Sequence, residues 1–360
     1  MGKIITKNGL FSFEEIKNNT PLLNHDYEQD TLKFCQDWLN GKEKFILHTS
    51  GSTGTPKSIG LSRRQMEASA LTTVSALGLK SGDTALVCLN TRYIAGIMML
   101  VRALVVDMDL LLVPPGSSPL QEIAENTKID FVALVPIQLQ SILEVNNSKD
   151  LKILNLMKAI IIGGAPVTSA LETKIQQITA PVFSTYGMTE TVSHIALRKL
   201  NGKKNQDYFQ ALTNVLLGTD ERGCLKIKAE MTNNEWLQTN DLVTLLENDK
   251  FRWLGRADTI INTGGVKVQP EKIERALETI LTKNGIKDYF IAGLPHSQLG
   301  EAVTLFVEKN EESSLSLEKL RSLLDKFETP KAIIHVRSFP RSLTGKIDKK
   351  KIVDSYKDYY

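Results

Sequence analysis

From residue 45 to residue 186, short apolar runs alternate with longer stretches whose apolar positions recur every three or four residues. The short runs, at 45–48, 84–89, 109–113, 131–135, 159–162 and 181–184, read as strands. The periodic stretches near 61–77, 93–106, 119–126, 137–143 and 169–178 read as helices. Strands and helices alternating at this spacing predict parallel βαβ units. In such sheets ligands gather beyond the C-terminal strand ends, where the loops after His48, at Gly163–Gly164 and at Tyr186–Gly187 would open. The most apolar stretch, 93–113, carries Arg102, Asp107 and Asp109, so it reads as a buried helix followed by a strand and not as a membrane span.

After Thr191 the pattern changes to strands without crossover helices, at 193–200, 225–229, 242–246 and 251–254. A third pattern starts at Asp258: strand, the turn Thr263–Gly264–Gly265, strand, a helix opened by Pro270, then strand, strand, helix and strand as far as Phe339. The prediction is an α/β protein. Residues 1–255 form a large N-terminal domain with mostly parallel sheets and helices plus a β-rich part, and residues 256–360 form a small α+β C-terminal domain.

Composition narrows the function. A net charge of +3 over 360 residues gives no footing for nucleic acid, and the basic residues cluster only in RSLTGKIDKKK at 341–351. Three scattered cysteines, with no C-x-x-C, suit a reducing, cytoplasmic setting, and Cys88 within its apolar run reads as core. The five histidines have no zinc-type spacing, and no apolar leader opens the sequence.

The chemistry concentrates in HTSGSTGTPKS at 48–58. Its last eight residues fit a Walker P-loop except that Pro56 replaces the second glycine, and proline lacks the N–H that such a loop turns toward phosphate. What remains is still an anion-binding composition: glycines for close backbone approach, hydroxyls as donors and one lysine as a point charge.

Three further stretches accompany it: STYGMTE at 184–190, TNDL followed by WLGRADTIINTGG within 239–265, and PRSLTGKID at 340–348. In this order the four resemble the adenylate-forming superfamily of acyl- and aryl-CoA synthetases, luciferases and peptide-synthetase adenylation domains. Within it, the compact build and YGMTETVSHIALR are similar to the 2-succinylbenzoate:CoA ligases of menaquinone biosynthesis. The resemblance implies ATP, Mg²⁺ and coenzyme A together with a small carboxylic acid, no stable membrane insertion, and a homodimer as one possible state. It implies that Thr49, Ser50, Thr53 and Lys57 handle the β- and γ-phosphates, with Gly51, Ser52 and Gly54 in the same cofactor-binding loop. Thr189 would bond the α-phosphate and Glu190 would hold Mg²⁺, with Tyr186, Gly187 and Met188 beside them. Gly163, Gly164 and Ala165 would wall the adenine and acyl group, and Asp241 with Arg256 would take the ribose. Lys346 would stabilise charge in adenylate formation, Asp258 would be the hinge of the small domain, and Gly264–Gly265 would line the CoA channel.

The sequence departs from the family in places. Only about 45 residues precede the phosphate loop and about 50 separate Glu190 from Asp241, which implies two trimmed subdomains. Tyr93 stands where many relatives carry a histidine beside the acyl pocket. A dicarboxylate substrate needs a partner for its spectator carboxylate, and Arg92 with Tyr93, or His194, are the candidates. Arg92 also reads as a surface charge and His194 as a strand histidine bonded to backbone. Another acyl- or aryl-CoA ligase, a carrier-protein-loading enzyme and a non-catalytic nucleotide- or acyl-binding relative are the alternatives.

Overall fold

The computed structural model describes residues 2–19, 26–48, 58–145, 147–203, 205–308, 315–341 and 347–360. The chain opens with β1 (Lys3–Thr6), β2 (Gly9–Ser12), α1 (Phe13–Asn18) and α2 (Asp26–Leu39). Next come β3 (Lys44–His48) and β4 (Ser58–Ser62), which pair antiparallel as a sheet of their own, from Lys44 opposite Ser62 to His48 opposite Ser58. The strand at 45–48 therefore returns on itself and does not lead directly into a helix. α3 (Arg63–Leu77) begins only at Arg63, behind a reciprocal cap in which Ser62 and Gln65 satisfy each other's backbone N–H, and ends at Gly78 with φ of 64°.

The βαβ region follows: β5 (Thr84–Val87), α4 (Ile94–Val106), β6 (Asp109–Leu112), β7 (Phe131–Leu134), α5 (Pro136–Val145), α6 (Ser148–Asn155), β8 (Ala159–Ile162), α7 (Ser169–Ile175) and β9 (Val182–Gly187). Strands β9, β8, β7, β5, β6 and β1 lie side by side and parallel. β5, β7 and β8 are buried at every position, as strands covered on both faces must be. Their side chains alternate between two cores. Ala85, Val87, Phe131 and Ile161 pack against α2, α3 and α4, while Leu86, Val132, Leu134 and Ile160 pack against α5, α6 and α7.

Residues 119–126 depart from the predicted helix and form successive turns. The Lys149 ammonium donates to the carbonyls of Leu120, Gln121 and Ile123 at 3.1, 2.9 and 3.0 Å, drawing together oxygens that a helix would aim along its axis.

The β-rich part does not stand apart from the parallel block but extends it. β10 (His194–Lys199), β11 (Phe209–Ala211), β12 (Leu216–Thr219), β13 (Cys224–Lys228), β14 (Leu237–Leu246) and β15 (Lys250–Arg256) add antiparallel strands beyond β9. The result is one thirteen-stranded sheet in the order β12-β13-β14-β15-β11-β10-β9-β8-β7-β5-β6-β1-β2.

A second sheet uses β16 (Ile261–Thr263), β17 (Val266–Val268), β18 (Tyr289–His296), β19 (Gly300–Glu308) and β20 (Ala332–Val336), with α8 (Pro270–Lys283), α9 (Leu317–Arg321) and α10 (Lys349–Asp354). Its apolar clusters draw on residues from Ile261 onward, and those of the large sheet stop at Trp253. Where the two meet, the Glu278 carboxylate on α8, 8 % exposed, accepts from the backbone N–H of Ser169 and of Ala170 and from the Ser169 hydroxyl at the start of α7. Among the described residues no helix is long and apolar enough to cross a membrane.

Replacing Lys149 by methionine keeps the stem and removes the donor to three carbonyls. We expect Lys149→Met to cost about 1–3 kcal/mol in chemical denaturation and to speed hydrogen exchange across 119–126. An unchanged denaturation midpoint would refute this role for the ammonium.

Candidate active site

β7, β8 and β9 end together, and their C-terminal loops border a cavity of about 200 Å³. Val135, Gly163, Gly164, Thr185, Met188 and Thr189 form its strand-end side. Close packing explains two of the glycines. A Cβ on Gly163 would stand 2.4 Å from the Thr185 hydroxyl oxygen, and one on Gly187 would stand 2.3 Å from the Ser193 carbonyl oxygen. Gly164 turns the chain at φ of 84°, open to glycine but costly for other residues. A wider groove of about 640 Å³ along Phe11–Asn19 is rimmed by Glu14 and Glu15, a poor setting for an anion.

The far side of the cavity comes from α4 and from the segment after β9. Thr189–Thr191 form a single 3₁₀ turn, followed by Val192 at φ of 65°. The Ser193 N–H donates back to the Thr191 carbonyl at 2.7 Å, closing a three-residue turn that a β-branched residue adopts only under strain. That turn brings the Ser193 hydroxyl to 2.8 Å from the Arg102 guanidinium. Arg102 is 1 % exposed and lines the cavity from the middle of apolar α4. Its Nε has no hydrogen-bond partner, and among the described residues no carboxylate pairs with it. Burial pulls the guanidinium below the ordinary arginine range, yet it stays cationic at neutral pH. His194, 5 % exposed, meets the Thr73 hydroxyl at 3.1 Å, and burial, then the nearby Arg102, hold its pKa well below the usual value.

Farther along the same sheet, Asp241 on β14 is 7 % exposed. The Tyr186 hydroxyl donates to one carboxylate oxygen at 2.6 Å, and the Trp253 indole N–H donates to the other at 3.2 Å. Tyr186 is held in turn by the rings of Phe209 and Phe251. Arg256 lies 3.8 Å from Asp241 but pairs more closely with Asp258, at 2.6 and 2.8 Å. Glu190, the residue after the cavity-lining Thr189, is exposed.

Of the residues singled out from the sequence, Gly163, Gly164, Gly187, Met188, Thr189 and His194 meet at this cavity. Ala165 is exposed just beyond it, and Tyr186, Asp241 and Arg256 form the neighbouring cluster. Gly264 and Gly265 make the turn between β16 and β17, at φ of 58° and 80°. Thr49 to Lys57 and Lys346 lie outside the described residues. Neither Arg92 nor Tyr93 lines the cavity. Arg92 is exposed and bonds Asp30 at 2.7 Å, and Tyr93 precedes the first turn of α4. Among the described residues Arg102, ten residues further on, is the cation that lines the cavity. The signal for it was present in the sequence as one arginine within IAGIMMLVRALVV. Ser193, Thr73 and Trp253 gave no such signal.

The family model for AMP-binding enzymes matches residues 12–218, more than half of the chain. The chain belongs to the AMP-binding enzyme family. Among similar AMP-binding enzymes is a 2-succinylbenzoate–CoA ligase from Bacillus cereus (strain Q1), 26% identical over 331 residues, covering 84% of this chain and 68% of that protein. An acyl-CoA synthetase (AMP-forming)/AMP-acid ligase II-like protein from Dyadobacter fermentans DSM 18053 is 39% identical. The match covers 96% of this chain and 98% of that one with a TM-score of 0.65. An o-succinylbenzoate coenzyme A synthetase from Bacillus subtilis, solved with ATP and magnesium ion, shares the fold with a TM-score of 0.71 at 21% identity, over 85% of this chain and 69% of that one.

His194 supplies a pH test. Its pKa is depressed in the folded state, so below the ordinary 6.5 the unfolded chain binds a proton that the folded one does not. Stability is therefore lost as pH falls through that value, and His194→Gln should flatten the fall in melting temperature between about pH 6.5 and 5. Parallel curves for the two proteins would count against a neutral, enclosed His194.

Proposed function

We propose that the protein is an ATP-dependent acid:CoA ligase that activates 2-succinylbenzoate as its acyl adenylate and passes the acyl group to CoA. The observation that carries the substrate is Arg102, a cation enclosed at the cavity without a carboxylate among the described residues. Such a charge is costly unless something compensates it. A dicarboxylic acid would do so, with one carboxylate on Arg102 and Ser193 and the other directed toward Thr189. The names carried by the curated relatives agree with that chemistry.

In this reading Thr49, Ser50, Thr53 and Lys57 hold the β- and γ-phosphates, Thr189 the α-phosphate, and Asp241 with Arg256 the ribose. Gly163, Gly164 and Ala165 border the adenine and acyl group, beside Tyr186. Among the described residues no three His, Cys, Asp or Glu side chains converge, so no all-protein metal cage exists there. A lone exposed carboxylate at Glu190 fits Mg²⁺, which keeps its waters and takes phosphate oxygens, and which would neutralise charge on the triphosphate. The substrate carboxylate attacks the α-phosphorus and pyrophosphate leaves. The CoA thiol gives its proton to water, its thiolate attacks the acyl carbonyl, and AMP leaves with the bonding pair. Lys346 serves the first step by offsetting charge that builds between two anions. Residues 256–360 form a small domain that turns about Asp258 and brings Gly264–Gly265 to the CoA path.

Arg102→Met should lower kcat/KM for 2-succinylbenzoate at least about tenfold and narrow the preference over 4-oxo-4-phenylbutanoate, which lacks the aromatic carboxylate. The melting temperature should not fall, because the variant removes an uncompensated buried charge. If benzoate or fatty acids outperform 2-succinylbenzoate in pyrophosphate release, the substrate reading fails. If release occurs without any dependence on CoA, the ligase reading gives way to another adenylating activity.

Lys346→Ala should slow adenylate formation by on the order of 10²-fold and leave thioester formation from synthetic adenylate intact. Equal losses in both half-reactions, followed by rapid quench, would refute that division of labour.

A further inference from the structure

We infer that Trp253 is a positioning residue for ribose recognition, its indole N–H fixing the Asp241 carboxylate so that the oxygens face a nucleotide's hydroxyls. The inference rests on the reading of Asp241 as the ribose ligand. A carboxylate at the end of a rotatable side chain offers about four acceptor directions. In Asp241 one is taken by the Tyr186 hydroxyl at 2.6 Å and one by Trp253 at 3.2 Å, one donor on each oxygen. About two directions remain, the number that a cis-diol needs.

The fold aims Trp253 at this task. A bulge between Leu242 and Val243 places Trp253 opposite Val243, on the face that Val243 shares with Asp241 two residues earlier. The base of Asp241 is fixed separately, its backbone N–H donating to the Thr239 hydroxyl at 3.0 Å while that hydroxyl donates to the Leu225 carbonyl at 2.9 Å. The nearest cation is not free to do the same work, since Arg256 is engaged by Asp258. The orientation of a nearly buried carboxylate is thus left to two neutral donors. Indole is a donor only, so Trp253 cannot turn to accept from a ribose hydroxyl and compete with the carboxylate for it. Packing does not require that donor, because a phenyl ring would also lie against the core here.

The test uses the full chain and compares ATP with 2′,3′-dideoxy-ATP, which lacks both hydroxyls. Trp253→Phe keeps a ring and loses the N–H. We expect KM for ATP to rise about five- to tenfold, more than kcat falls, while binding of 2′,3′-dideoxy-ATP matches that of the unaltered enzyme. Equal weakening toward both nucleotides would assign Trp253 a merely structural role and overturn the inference, as would no weakening toward either. Asp241→Asn separates the two levels. If it discriminates ATP from the dideoxy analogue as the unaltered enzyme does, the ribose reading of Asp241 falls. If it loses that discrimination while Trp253→Phe keeps it, only the positioning role falls.

Discussion

Six parallel strands, the central ones covered on both faces, leave the backbone little room for polar chemistry except at the strand ends. The site follows from that constraint. Functional groups have to arrive on the loops leaving β7, β8 and β9, and those loops must turn tightly over a sheet whose neighbours are already packed. Gly163 and Gly187 show how tight, since a methyl group at either would collide with a neighbouring residue. The antiparallel strands beyond β9 then carry the Asp241 cluster alongside without a second scaffold.

Much of this was legible along the chain because it is written in local pattern. The apolar runs of β5, β7 and β8, the helix and strand within 93–113, and the glycine-bearing loops each announce themselves over a few residues. What escaped depends on residues far apart. Residues 119–126 have helical periodicity, but Lys149 from another element claims their carbonyls. The pairing of β3 with β4 is invisible to a reading that meets each strand separately.

The placement of the two arginines near the cavity is of the same kind. Arg92 and Arg102 are both arginines near one another in sequence, and only the packing of α4 decides which faces water and which faces the cavity. A charge inside an apolar helix reads at first as an objection to a membrane span. Its more informative meaning is that something must compensate it. Trp253 had no comparable signal, because its role comes from cross-strand register and a bulge.

The Glu278 contact has a mechanical meaning. One carboxylate on the second sheet's helix satisfies two backbone donors and a hydroxyl at the start of α7. Its three bonds converge on a single point, so a small sliding motion cannot relax them one at a time. Turning the second sheet away from α7 would bare the carboxylate and the helix terminus together. Separating α8 from α7 would therefore have to break these three bonds together.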